Sequence, residues 1–136
     1  MKTTELRLGN WIQGVRTYKD KTYTDIPMFV EAIFNDTIYA DFEDNVTDVW
    51  EYTESEIQGI PLTNEALKQC GFKPTNFGAE THIMAVEWSY LRLKQIGNEV
   101  SVELSHKPNE IFRIKYVHEL QNLYFTLTKE ELTIKL

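Results

Sequence analysis

Residues 60–72 read Ile60-Pro61-Leu62-Thr63-Asn64-Glu65-Ala66-Leu67-Lys68-Gln69-Cys70-Gly71-Phe72, and this stretch decides the plan of the chain. Thr63 stands where an N-cap hydroxyl accepts from an orphan backbone N–H. Glu65 puts a carboxylate at the positive end of the helix dipole. Leu62 and Leu67 hold the spacing of a hydrophobic staple across that cap. Gly71 supplies the left-handed residue that ends a helix, and Phe72 beyond it can fold back on Leu67. Together these signals predict a short helix over residues 64–70. Strand-like sequence precedes it and a different strand pattern follows. The expected organisation is a single α+β domain over residues 1–136, with lobes of approximately 1–61 and 62–136.

Upstream of the helix the pattern is β-rich. Trp11–Tyr18 reads as a strand ending in the polar turn Lys19-Asp20-Lys21. Residues 28–34 and 37–42 flank Asn35-Asp36, a plausible two-residue hairpin loop. That loop would set Ile33 opposite Ile38, Glu31 opposite Ala40, Phe29 opposite Phe42 and, on the other face, Ala32 opposite Tyr39. The acidic segment 43–56 alternates poorly and is expected to be a loop with a strand near Trp50-Glu51-Tyr52. Ile57–Ile60 would close the sheet. Strands this short suit an SH3-like barrel.

Downstream, Ile83–Ile96 and Glu99–Ser105 form a second hairpin across Gly97-Asn98, with Gly at the first position of the turn. The loop fixes Leu93 against Val102 and Leu91 against Leu104 on one face, and Arg92 against Glu103 on the other. Glu110–Tyr116 follows as a third strand of the meander, with Phe112, Ile114 and Tyr116 on one face and Arg113 and Lys115 on the other. The apolar period then lengthens. Val117, Leu120, Leu123, Tyr124 and Leu127 make the stripe of an amphipathic C-terminal helix, with Glu119, Gln121 and Asn122 turned away. Thr128 and Glu131 have the spacing of a capping box for one more turn, and 134–136 adds an edge strand or trails.

Composition narrows the function. Net charge is −7, and Thr22–Leu67 carries eleven acidic residues and no Lys or Arg. Such a balance disfavours a phosphate-backbone partner, whose affinity comes from Lys and Arg releasing counterions. The basic residues Arg7, Arg16, Lys19 and Lys21 scatter near one end and read as solvated surface. Cys70 is the only cysteine, so no disulfide forms within the chain. With no apolar run of membrane-spanning length and no signal-type segment, the expectation is a cytoplasmic protein.

No residue pattern announces a catalytic or metal site. His82, His106 and His118 lie at no ligand spacing, and the expectation for His118 is a partly exposed surface position. Asp41, Glu43, Asp44, Asn45 and Asp48 lack the spacing of a calcium loop. Cys70 at a helix C-terminus, beside Leu67 and Phe72, reads as a buried, inert thiol. Trp11, Trp50 and Trp88 read as core anchors. No cofactor is implied.

Three ordered blocks, Glu5–Ile12 (ELRLGNWI), Ile60–Phe72 and Tyr116–Leu132 (YVHELQNLYFTLTKEEL), resemble a family of small proteins common in genomes of gut Bacteroidetes and their phages. The resemblance covers roughly a third of the chain, counted as matching blocks spread along a domain-sized length. It implies a phage or mobile-element context and brings no functional residues with it. Within the third block, His118, Gln121 and Asn122 are more polar than packing demands, which suggests a binding face.

The resulting expectation is a non-enzymatic interaction protein that binds a host or phage protein through an acidic face. Asp41, Glu43, Asp44, Asp48 and Glu51 would form that face, and His118, Gln121 and Asn122 a second contact. The alternative is a small ligand-binding domain or hydrolase-type enzyme, with Trp50, Tyr52 and two carboxylates meeting in a cleft. Self-association through the last helix is a third option.

Overall fold

The computed structural model describes residues 1–41, 49–75, 81–86, 89–105 and 107–135. The chain falls into two units, Met1–Ile60 and Pro61–Leu136. The class is α+β, with an antiparallel sheet in each unit, a short helix and a C-terminal helix.

The first unit is a five-stranded antiparallel sheet. Its strands are β1 (Trp11–Tyr18), β2 (Lys21–Phe34), β3 (Thr37–Asp41), β4 (Trp50–Thr53) and β5 (Ile57–Gly59), in the order β4-β3-β2-β1-β5. After a 3₁₀ turn at Glu54–Glu56 the chain returns β5 to the free edge of β1, the connectivity of a small SH3-like barrel. Lys19 and Asp20 both take positive φ, 48° and 63°, so Tyr18 and Lys21 close a two-residue hairpin whose twist matches its strands. β2 therefore begins at Lys21, earlier than the expected 28. Pro27 obscures this, but it lies where β2 pairs only with β1 among the described residues, a position that tolerates a missing donor.

The β2–β3 hairpin starts in the expected register, Ile33 against Ile38 and Ala32 against Tyr39, and then departs from it. Val30, not Glu31, faces Ala40, and Phe29 faces Asp41 rather than Phe42. Glu31 is the extra residue of a β-bulge. The bulge shifts the face parity of β2, so that Met28 and Val30 join Ile33 on the inward side. Without it they would point away from the core that Leu6, Ile12, Met28, Val30, Ile38, Ala40, Tyr52 and Ile57 form. The N-terminal segment is tied to this sheet. The buried Asn10 accepts from Arg7 N through Oδ1 at 2.7 Å, and its carbonyl accepts from Val30 N at 2.9 Å. Glu54 Oε1 accepts from Thr3 N at 2.7 Å and from Thr3 Oγ1 at 3.1 Å.

The second unit opens with α1 (Asn64–Gln69), built as the sequence predicts. Thr63 Oγ1 accepts from Ala66 N at 3.1 Å. At the other end Gly71 has φ +88°, Phe72 N donates to Leu67 O at 3.0 Å and Gly71 N to Lys68 O at 2.9 Å, the two bonds of a Schellman stop. Leu62 and Leu67 are both buried. The sheet comprises β6 (Lys73–Pro74), β7 (Thr81–Val86), β8 (Ser89–Ile96), β9 (Glu99–Leu104) and β10 (Lys107–Ile114), a continuous antiparallel meander. The expected single strand 83–96 is two strands, paired back to back from Val86 against Ser89. No Gly, Pro or Asn marks the reversal, so the sequence hides it. The β8–β9 register is as expected, with Leu93 against Val102, Leu91 against Leu104 and Arg92 against Glu103.

Tyr116 is not part of the third meander strand. It caps α2 (Val117–Thr128) and bridges to Pro61, while Glu119 Oε1 accepts from Lys115 N and Tyr116 N at 3.1 and 3.2 Å. Lys129 in the left-handed region (φ 63°) ends the helix, and no further turn forms at Thr128. Instead Thr128 Oγ1 donates to Tyr124 O at 2.8 Å. The tail trails rather than forming a strand, with Leu132 and Ile134 buried and Lys135 N donating to Gln69 O at 3.1 Å.

Candidate interaction surfaces

The sequence-predicted acidic face is only partly assembled. Asp41 ends β3 and is 2% exposed, so it belongs to the interior and not to a docking surface. Its cross-strand partner is Phe29. Glu51 is exposed, as strand alternation requires between the inward-facing Trp50 and Tyr52. Glu43, Asp44 and Asp48 lie outside the described residues, as do Trp88 and His106.

Other carboxylates, among them Asp36 and Glu56 at the two ends of the acidic segment, complete what the described residues offer. Cross-strand partners share a face, so the outer face of the first sheet carries Ala32, Tyr39 and Glu51 in one row and Phe34, Thr37 and Thr53 in the next. Phe34 is 69% exposed beside the exposed turn residue Asp36, and Glu31 and Glu56 are also exposed. Among the described residues, Tyr52 is a core residue at 4% exposure and the half-buried Trp50 packs against the same core, both on the opposite side of β4 from Glu51.

The predicted polar contact on α2 is largely internal. His118 and Gln121 are 1% and 2% exposed, and only Asn122 and Glu119 remain partly accessible. The buried arc of the first two turns comprises Val117, His118, Leu120 and Gln121, rotated from the apolar stripe that the sequence displays. His118 also stacks on the Tyr116 ring, with centroids 5.7 Å apart. A pattern that counts only apolar residues misplaces this arc, because buried His and Gln carry no hydrophobic signal.

Three further features concern chemistry. Burial pushes the Cys70 thiol up to about 12, so it remains protonated and is a poor nucleophile. His82 on β7 is 2% exposed, and neither ring nitrogen has a hydrogen-bond partner. Burial, with Lys68 as a lesser influence, holds its pKa below that of an ordinary histidine. A cleft of about 450 Å³ opens between the end of α1, β7, α2 and the C-terminal tail, with Lys68, Met84, Tyr124, Glu130 and Lys135 in its wall. Its charges are mixed, two lysines against Glu130 and Glu131, so it favours no one ligand charge. Among the described residues, no three His, Cys, Asp or Glu side chains group to hold a metal, and no helix is long and apolar enough to cross a membrane.

Comparison with protein-family models, with curated proteins and with solved structures returns no match.

The second sheet exposes a face of the opposite character, which the sequence reading passed over. The cross-strand row Lys73, Ile83, Arg92, Glu103, Ile111 and the neighbouring row Lys94, Ser101, Arg113 lie on its outer side, away from Leu91, Leu93, Val100 and Val102. Lys73, Arg92, Lys94, Arg113 and Lys115 are exposed, as are Tyr90 (52%), Ile96 (42%) and Ile111 (57%). Glu99 accepts Arg113 at 3.8 Å and Lys115 at 3.7 Å, but Lys73, Arg92 and Lys94 have no ion pair among the described residues. Sequence distance hid this face, since its cations come from three strands, β6, β8 and β10, and the segment after β10.

Proposed function

We propose that the chain is a non-catalytic interaction module whose first unit presents an acidic surface to a basic protein partner. The observation that carries this reading is the segregation of charge between the units. Residues 1–60 hold twelve acidic and five basic side chains, whereas residues 61–136 hold nine of each, so the whole net charge of −7 belongs to the first unit. Exposed carboxylates at Glu31, Asp36, Glu51 and Glu56 share that unit with the exposed ring of Phe34, giving charge to steer encounter and an apolar anchor to hold it.

The phage or mobile-element context implied by the sequence resemblance makes a host or phage protein the partner class. A cytoplasmic setting accompanies this reading, supported by a lone, buried, unpaired cysteine.

The test is affinity purification from the native host with the wild-type chain and with a variant carrying Glu31→Gln, Asp36→Asn, Glu51→Gln and Glu56→Gln. The proposal expects a salt-sensitive partner that the variant loses. Recovery of the same partners by both proteins, with the same salt dependence, overturns it.

A further inference from the structure

On the outer face of the second sheet five exposed cations meet three large exposed apolar side chains. Among the described residues, Lys73, Arg92, Lys94, Arg113 and Lys115 stand there against Glu99 and Glu103, although the unit as a whole is neutral. Tyr90, Ile96 and Ile111 lie among them. The first unit offers the complement in both respects, with Glu51 on the outer face of its sheet in the row next to the exposed Phe34, and the exposed Asp36 in the turn that follows Phe34.

We infer that the basic outer face of β6–β10 docks the acidic outer face of β2–β4 from a second copy of this chain, in a head-to-tail association. The argument is charge complementarity between two surfaces that every copy carries. Opposed patches interact within a Debye length, about 10 Å at 0.1 M salt, so docked faces attract even though two copies, each of net charge −7, repel at long range. Because the contact joins two different patches, it is heterologous and closes only as a ring or extends as a chain. A nucleic acid is the weaker occupant. Tyr90 is the only exposed aromatic side chain placed on that face among the described residues, where single-strand binders use several as stacking platforms. The inference uses the acidic surface of the proposal above but not its partner, so the two fail separately: one by affinity capture, the other by the purified chain's own mass.

Sedimentation velocity of the purified protein tests it across salt. The expected result is concentration-dependent association at about 20 mM salt that weakens at least about tenfold by about 0.3 M, as screening of docked charges requires. Arg92→Glu with Lys94→Glu should abolish association, and so should Asp36→Lys with Glu51→Lys. A mixture of the two variants should associate again, a rescue that misfolding of either would not produce. A wild-type chain that is monomeric at every salt, association that strengthens with added salt, or failure of two folded variants to rescue one another each overturns the inference. So does a wild-type monomer that captures a single-stranded oligonucleotide through Arg92 and Lys94.

Discussion

Both units are five-stranded antiparallel sheets, yet they solve the problem of a buried face differently. The first curls its strands around a core of its own, using a bulge at Glu31 and a strand returned to β1 by a 3₁₀ turn. The second is a meander in sequence order with α1 and α2 in the same unit, and its inner row of Leu91, Leu93, Val100 and Val102 is 0–1% exposed. The first keeps its apolar residues on one side with a bulge in a central strand, whereas the irregularity of the second, between Lys107 and Ile111, lies in its edge strand β10. Charge follows the same division, with all the excess carboxylate on the curled sheet and a basic stripe on the meander.

That contrast can be broken or sharpened by substitution. The largest effect is expected for Leu67→Ala, which empties a 0%-exposed site in α1 and should cost about 2–5 kcal/mol. Hydrogen exchange should show the loss of protection within residues 61–136. Equal loss within residues 1–60 would mean that the two units unfold as one, and the comparison would fail.

Gly14→Val probes the first unit. A Cβ at Gly14 would fall on Met28 Cε and within 3.1 Å of Tyr52 Cε1, so overpacking of about 1–3 kcal/mol is expected in urea denaturation. Gly14→Ala should cost less, because the end of Met28 can move. Equal costs would show that the backbone and not the packing requires glycine there.

His82→Leu should act in the opposite sense. The imidazole buries ring nitrogens without partners, so replacing it by an apolar group of similar size should stabilise the protein by about 1 kcal/mol at neutral pH. The native histidine has a depressed pKa, so the unfolded chain binds more protons as pH falls below the ordinary histidine range. Stability is then full above that range and is lost on acidification, by at most about 1.4 kcal/mol per pH unit, until the folded value is passed. Denaturation midpoints from neutral pH downward should show this slope in the wild type and a shallower one in the variant.

The smallest effect belongs to Glu54. Its carboxylate is held below the usual range, chiefly by the bond from Thr3 N and then by the Thr3 hydroxyl. The N-terminal clamp is therefore in place above that range and is released as pH falls through the folded value. Glu54→Gln should speed amide exchange at Thr3 while leaving the β-sheet amides unchanged.

What could be read beforehand depended on how local the cause was. The capped helix, the hairpin at Gly97-Asn98 and the β8–β9 register were legible because each is fixed by residues within a few positions of one another. The bulge at Glu31 was not, because it answers to a core that includes Tyr52 and Ile57. The turn between β7 and β8 was missed for want of a turn residue. Glu51 could be placed by alternation, whereas nothing in the local pattern marks Asp41, His118 and Gln121 as buried.

The amino-acid order by itself determined an α+β chain with a helix starting at Thr63 and stopping at Gly71, and it put eleven carboxylates together without a counter-charge. Only the tertiary structure decided which of those carboxylates meet water and that Lys73, Arg92, Lys94 and Arg113 share one face. Caps and two-residue turns are settled by short-range sterics and hydrogen bonds. Burial and the sharing of a face arise from strand pairings between residues far apart in the chain.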